Sequence, residues 1–194
     1  MYAFIEGKIS TINPASVVID CNGIGYDISI SVNTYSQIKD QENCRLLTHL
    51  AVREDAMVLF GFAHDKERVL FRQLISVSGV GAGTARLILS SLSPDEVTEA
   101  IVSSNVGLLQ RVKGIGGKTA QRIIIDLKDK LGKDHSFSEI LGSAHNTKKE
   151  EALSALSMLG FNKALAEKTI DKIMKEESAS ISVEQLIKSA LKIL

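Results

Sequence analysis

Apolar and polar positions follow two different periods along this chain, and the change falls near residue 64. Gly25 to Val32 alternates apolar and polar residues with a period of two, the mark of a half-buried strand. Ser16 to Cys21 is β-branched and ends at Asn22-Gly23, a pair that favours a tight hairpin turn. Phe4 to Ile9 reads as a short, mixed strand. Cys44 to Val52 and Ala56 to Phe62 read as two more, separated by Arg53-Glu54-Asp55. Asn33 to Lys39 fits a short helix. Five strands with a helical insert between the third and fourth predict a small closed barrel such as an OB-fold.

From Lys66 the spacing becomes helical. Val69, Leu70, Phe71, Leu74 and Ile75 fall on one face. Further helices are predicted over Thr84 to Ser91, Asp95 to Ser103, Val106 to Arg111 and Thr119 to Leu131. Ser93-Pro94-Asp95-Glu96 combines a Ser cap, a Pro at the first helical position and a Glu at the third. Residues 133–147 lack a sustained period and are rich in small and polar side chains, which predicts a flexible linker. Three short helices then follow: Lys148 to Leu159, stopped by Gly160; Ala164 to Glu176; and one opened by the capping box Ser182-Val183-Glu184-Gln185. The expected fold class is multidomain α+β. It comprises a five-stranded barrel over 1–64, an all-α domain over 65–132, the linker, and a three-helix bundle over 148–194. A bundle this small is marginal alone and is expected to be an interaction module.

The charge distribution locates the chemistry. Net charge is zero over 194 residues, which by itself argues against a polyanion partner. Residues 65–133, however, carry 11 basic and 7 acidic side chains. Residues 1–64 and 134–194 are both net acidic. A nucleic acid is therefore to be sought in the middle third. Aromatic residues are scarce and Trp is absent, so base stacking on aromatic platforms is not expected. The start lacks a basic stretch followed by a long apolar one, and no apolar run reaches membrane-spanning length, which leads us to expect a cytoplasmic protein with no membrane partner. Cys21 and Cys44 are isolated and suggest two structural thiols in a reducing compartment.

Within that basic third lies an internal repeat. Val77-Ser78-Gly79-Val80-Gly81-Ala82-Gly83-Thr84-Ala85 recurs as Val112-Lys113-Gly114-Ile115-Gly116-Gly117-Lys118-Thr119-Ala120, each copy between two helical patterns. Glycine permits a sharp turn with positive φ and leaves a bare backbone that a ligand can approach. Val80 and Ile115 would anchor the turns in the core. The amides that open the following helix have no partner within it, and the macrodipole stands behind them. That combination binds phosphate. Lys113, Lys118, Arg122 and Arg86 would add charge nearby. Such contacts hold a duplex without reading its sequence.

Other readings of the glycines fail. A Walker loop needs a Gly where Val112 stands ahead of Gly117-Lys118-Thr119. A dinucleotide fingerprint needs a third Gly where Thr84 and Thr119 stand, and strands before each turn. His49, His64, His135 and His145 lack ligand spacing, and no Ser lies in a nucleophile-elbow sequence. Asp126 and Asp129 read as a solvated face. No catalytic residue, metal or cofactor is expected. The alternative is a helix–hairpin–helix glycosylase or nuclease, which shares the phosphate grip but needs a catalytic Lys or Asp in a pocket.

Paired Gly-[Val/Ile]-Gly turns between helices resemble tandem helix–hairpin–helix motifs. Arg53-Glu54-Asp55 between two strands, followed by Leu59-Phe60-Gly61-Phe62 and Glu67-Arg68-Val69-Leu70-Phe71, makes essentially the whole chain resemble the RuvA family of Holliday-junction-binding proteins. Leu159-Gly160-Phe161 in the tail also fits, and resembles ubiquitin-associated-type modules. The resemblance implies that four subunits assemble with four-fold symmetry, as one tetramer or as two around the junction. They would hold an open, square-planar four-way junction in recombination and DNA repair, under the SOS response. It implies that the tail contacts RuvB, the hexameric ATPase motor, through Leu156, Leu159, Gly160, Phe161, Leu186 and Ala190. The RuvC resolvase is a further partner it admits. It also assigns a role to Glu54 and Asp55, an acidic pin at the junction centre that repels phosphates and helps part the strands. Two like charges 4 Å apart cost roughly 4 kcal/mol at an effective dielectric near 20, comparable with opening a base step or two, at about 1.4 kcal/mol of stacking per step. One departure is visible: family members often carry a basic residue near Gly83.

Overall fold

A computed structural model describes residues 2–140, 147–176 and 182–194. They fall into two compact units, Met1–Lys133 and Asp134–Leu194. The first begins with β1 (Phe4–Asn13), β2 (Ser16–Cys21) and β3 (Ile24–Ile30), then α1 (Val32–Ile38), β4 (Asn43–Val52) and β5 (Met57–Phe62). The strands close in the order β1-β2-β3-β5-β4, with β3 and β5 parallel and every other pair antiparallel. Alternation sets the faces: Val17, Ile19, Ile28 and Ile30 are buried, while Asp20 and Asp27 face water. β1 runs four residues further than its apolar pattern suggests. A register shift between Ile9 and Thr11 lets an exposed, polar end keep pairing with β2.

The helices of this unit are α2 (Asp65–Ile75), α3 (Ala82–Ser91), α4 (Pro94–Val102), α5 (Val106–Gln110) and the part of α6 (Gly117–Ile140) up to Lys133. They do not form a core of their own. β5 is buried on both faces: Leu59 points into the barrel, whereas Phe60 and Phe62 join the helical core around Phe71. Their ring centroids lie 5.1 and 4.9 Å from that of Phe71. Two barrel side chains are thus built into the helical core, while the barrel keeps an apolar interior of its own. A buried polar joint adds to this link. Glu67 on α2 accepts hydrogen bonds from the Ser31 hydroxyl and, at 2.8 Å, from Thr34 Oγ1. Burial pushes the Glu67 carboxyl above its ordinary range, opposed by those two hydroxyls and by His64.

The residues expected to form a linker are helical as far as Ile140. Extending an established helix adds one hydrogen bond per residue and needs no apolar stripe, so a missing period does not end α6. Residues 141–146, the rest of the expected linker apart from Thr147, lie outside the described residues.

The second unit contains α7 (Thr147–Met158), α8 (Lys163–Glu176) and α9 (Val183–Leu191). Gly160 at φ +93° ends α7, where the Phe161 amide donates to the Leu156 carbonyl at 3.1 Å. Lys149 on α7 reaches Asp171 at 2.6 Å and Glu167 at 3.6 Å on α8. The core is Ala152, Leu156, Ala166, Ile170, Ile173, Leu186 and Ala190. No helix among the described residues is long and apolar enough to cross a membrane.

Candidate nucleic-acid interface

The two glycine turns are built alike. In hairpin 1, between α2 and α3, Val77 N donates to Leu74 O at 3.1 Å, Val80 N to Val77 O at 3.0 Å and Ala85 N to Gly81 O at 2.9 Å. In hairpin 2, between α5 and α6, Val112 N donates to Leu109 O at 3.2 Å, Ile115 N to Val112 O at 3.0 Å and Ala120 N to Gly116 O at 2.9 Å. The first glycine of each carries the positive φ, +89° at Gly79 and +91° at Gly114. Val77, Val80, Val112 and Ile115 are all buried. Each turn is thus pinned by two aliphatic side chains while its glycines stay exposed or partly exposed.

The second glycines have a different role. Gly81 is the N-cap of α3 with extended backbone, φ −85° and ψ 168°. A Cβ added at Gly83 or Gly116 would meet nothing within 4 Å. Nothing inside the fold demands glycine at those two positions. A bare surface there leaves the helix amides open to an outside group.

Capping separates these helices from α1, α2, α4, α5, α8 and α9. Ser31, Ser93, Asn105, Asn162 and Ser182 each accept a hydrogen bond from a backbone amide at the start of α1, α4, α5, α8 and α9. α2 lacks a side-chain cap but carries Asp65 and Glu67 in its first turn. α3 has neither a side-chain cap nor an acid in its first turn. α6 starts after Gly116, which has no side chain to offer, and also lacks a first-turn acid. The amides of Ala82, Gly83 and Thr84, and of Gly117, Lys118 and Thr119, therefore have no partner within their helices. They form the positive end of each helix dipole.

The cations are unevenly placed. Lys113, Lys118 and Arg122 are exposed around hairpin 2. Arg122 Nη1 reaches back to donate to Ser78 O of hairpin 1 at 3.4 Å. Between hairpin 1 and α6 lies an open groove of about 470 Å³, with Ser78 and Gly79 on one wall and Lys118, Thr119, Gln121, Arg122, Ile125 and Asp126 on the other. Arg86 does not join this group, contrary to expectation. Its Nη1 donates to Ala15 O at 2.8 Å, which ties α3 to the barrel.

Glu54 and Asp55 stand exposed at the tip of the β4–β5 hairpin, closed by Arg53 N donating to Ala56 O at 2.8 Å. The sequence gives Arg53 itself no such prominence. Its Nη2 lies 3.6 Å from where a Cβ on Gly81 would stand, so the stem of the acidic hairpin touches hairpin 1. That approach joins residues far apart in sequence, and no local pattern signals it.

In the tail unit, Leu156, Leu186 and Ala190 have no exposed surface. They cannot contact a partner while the bundle is folded, because the helical stripe they occupy faces the bundle's own core. Leu159 is 61% exposed and Phe161 is half-buried. Met158 at 87% and Leu165 at 52% are further exposed apolar side chains that the sequence alone does not single out. No group of three or more His, Cys, Asp or Glu side chains among the described residues is placed to hold a metal ion.

Comparison with known proteins fits this layout. Residues 1–61 match the family model for the RuvA N terminal domain, 71–129 that for a SAM-like helix-hairpin-helix tandem, and 147–194 that for the RuvA C-terminal domain. The chain is 55% identical over 192 residues to the Holliday junction branch migration complex subunit RuvA of Christiangramia forsetii, with 99% of each chain covered. Proteins of the same name from Bacteroides thetaiotaomicron and Cytophaga hutchinsonii are 50% identical over 200 residues and 48% over 197, again with 99% of each chain covered.

Proposed function

This chain belongs to the RuvA family, and we propose that it binds four-way DNA junctions as the non-catalytic subunit of a branch-migration complex. The observation that carries this reading is the pair of matching hairpins, each presenting an uncapped helix start behind exposed glycine. Two such grips on one compact unit hold two phosphate positions at a fixed spacing. Contacts of this kind orient a duplex and ignore its sequence, which suits a ligand defined by its branching.

Four copies around a four-fold axis would give each junction arm one pair of hairpins. The exposed Glu54 and Asp55 would then meet at the crossover and repel phosphates there. In the tail, exposed Met158, Leu159 and Leu165 with half-buried Phe161 offer an apolar surface for the RuvB motor, which would supply the ATP hydrolysis this chain does not perform. The complex would act in the cytoplasm, with one or two tetramers on the junction and RuvC as a later partner.

Electrophoretic competition at matched salt tests the reading. A four-way junction should displace linear duplex of the same sequence, and affinity should fall by about 0.9 log units per log unit of salt for each phosphate neutralised. Equal affinity for both DNAs overturns it.

A further inference from the structure

Within this chain the two hairpins share a backbone and differ in charge. Where hairpin 2 carries Lys113, Lys118 and Arg122, the equivalent positions of hairpin 1 are Ser78, Gly83 and Leu87. The nearest cation on α3 is Arg86, and it is already committed to the Ala15 carbonyl. Hairpin 1 thus presents bare amides with no free cation of its own elements beside them; Arg122 of α6 reaches it only at the Ser78 carbonyl, at 3.4 Å.

The barrel brings one to it. The Arg53 guanidinium lies against Gly81, 3.6 Å from the position its Cβ would occupy, and Gly81 is the residue that caps α3. Arg53 is exposed, and it makes no ion pair with Glu54, Asp55 or any other described residue. A guanidinium beside the positive end of a helix is repelled unless an anion joins them. A phosphodiester fits that place, taking amide N–H groups on one side and the planar N–H fork on the other.

Resting on the junction-binding reading, we propose that the phosphate site of hairpin 1 is composite, with Arg53 of the β4–β5 hairpin as its cation in place of the lysine that serves hairpin 2. One consequence is mechanical. Arg53 precedes Glu54 and Asp55 directly, so the strand held at hairpin 1 is gripped one residue from the carboxylates that repel it. Grip and repulsion then share one hairpin, and the parting of strands occurs at a fixed distance from a held phosphate.

The test uses the full chain in four forms: unchanged, Arg53→Ala, Gly83→Lys, and the two substitutions together. A Cβ at position 83 meets nothing within 4 Å, so the fold leaves room for a side chain to start there, and an unchanged melting temperature of Gly83→Lys checks that it folds. Arg53→Ala should weaken junction binding about tenfold, as expected for losing a charge-assisted contact. It should also flatten the salt dependence by about one unit per engaged copy, with the melting temperature unchanged. The double variant should recover both affinity and salt slope, because Gly83→Lys restores the arrangement of hairpin 2. If Arg53→Ala leaves affinity and slope intact, or if adding Gly83→Lys fails to restore them, the composite site is wrong. If the unchanged chain shows no preference for the junction, the parent reading fails instead.

Discussion

Hairpins 1 and 2 have nearly superimposable main-chain bonding and almost opposite side-chain chemistry. Their positive φ angles are +89° and +91°, and their three turn hydrogen bonds correspond one to one. Yet hairpin 2 carries Lys113 and Lys118 where hairpin 1 has Ser78 and Gly83, and hairpin 1 borrows its cationic neighbours, Arg53 and Arg122, from the barrel and from α6. The turn must be made locally, by glycine and a buried aliphatic anchor. Charge is not so bound, since any element that passes close enough can deliver it.

The comparison can be broken most severely at the second glycines. Gly81→Leu together with Gly116→Leu should reduce junction affinity at least about a hundredfold, since hydrogen bonds to a charged group are worth about 1.5–3 kcal/mol each. The melting temperature should hold, because an added Cβ meets only Arg53 at 3.6 Å at Gly81 and nothing within 4 Å at Gly116. Equal losses from the two single variants, measured by titration, would show that the shared main chain carries most of the binding. A large loss from one alone would show that charge decides.

Lys118→Ala sharpens the other half of the comparison. It should cost about tenfold in affinity and lower the salt slope by about one unit per engaged copy. An unchanged slope would remove Lys118 from the phosphate contact.

The first glycines should respond differently. Gly79→Ala and Gly114→Ala force a side chain into the left-handed region, at about 1–2 kcal/mol each. They should lower the melting temperature by several degrees and by similar amounts. Unequal shifts in calorimetry would show that the two turns are less alike than their angles.

The smallest effect concerns the joint behind hairpin 1. Glu67 lies on α2, which leads into that hairpin, and is buried against Ser31 and Thr34 of the barrel. Burial raises its pKa, so the folded state holds the proton more tightly than the unfolded chain, whose value is about 4.3. The resulting stabilisation is complete below that value and is lost as pH rises through the folded-state pKa. The stability of the unchanged protein relative to Glu67→Gln should therefore fall as pH rises above about 4. A constant difference across that range would contradict the assignment.

The hairpins are legible in the sequence because their determinants are consecutive: glycine where φ is positive and Val or Ile where the core begins. The helix boundaries at Ser93, Gly160 and Ser182 are legible for the same reason, since caps are local chemistry. What sequence does not reveal is long-range. Arg86 has the look of a hairpin cation and turns instead to the Ala15 carbonyl; Arg53 has the look of a strand junction and lies on Gly81. The apolar stripe that suggests Leu156, Leu186 and Ala190 as contacts is the same signal that buries them. Periodicity shows which residues share a face, and only the assembled bundle shows which way that face points.

The claim on which all of this depends is that bare amides at the starts of α3 and α6 receive phosphates, and a crystal structure of the chain on a four-way junction tests it most directly. The account predicts phosphate oxygens within about 3 Å of amide nitrogens in Ala82–Thr84 and Gly117–Thr119 alike. Hairpins turned away from the DNA, with the duplex resting on another face, would contradict it.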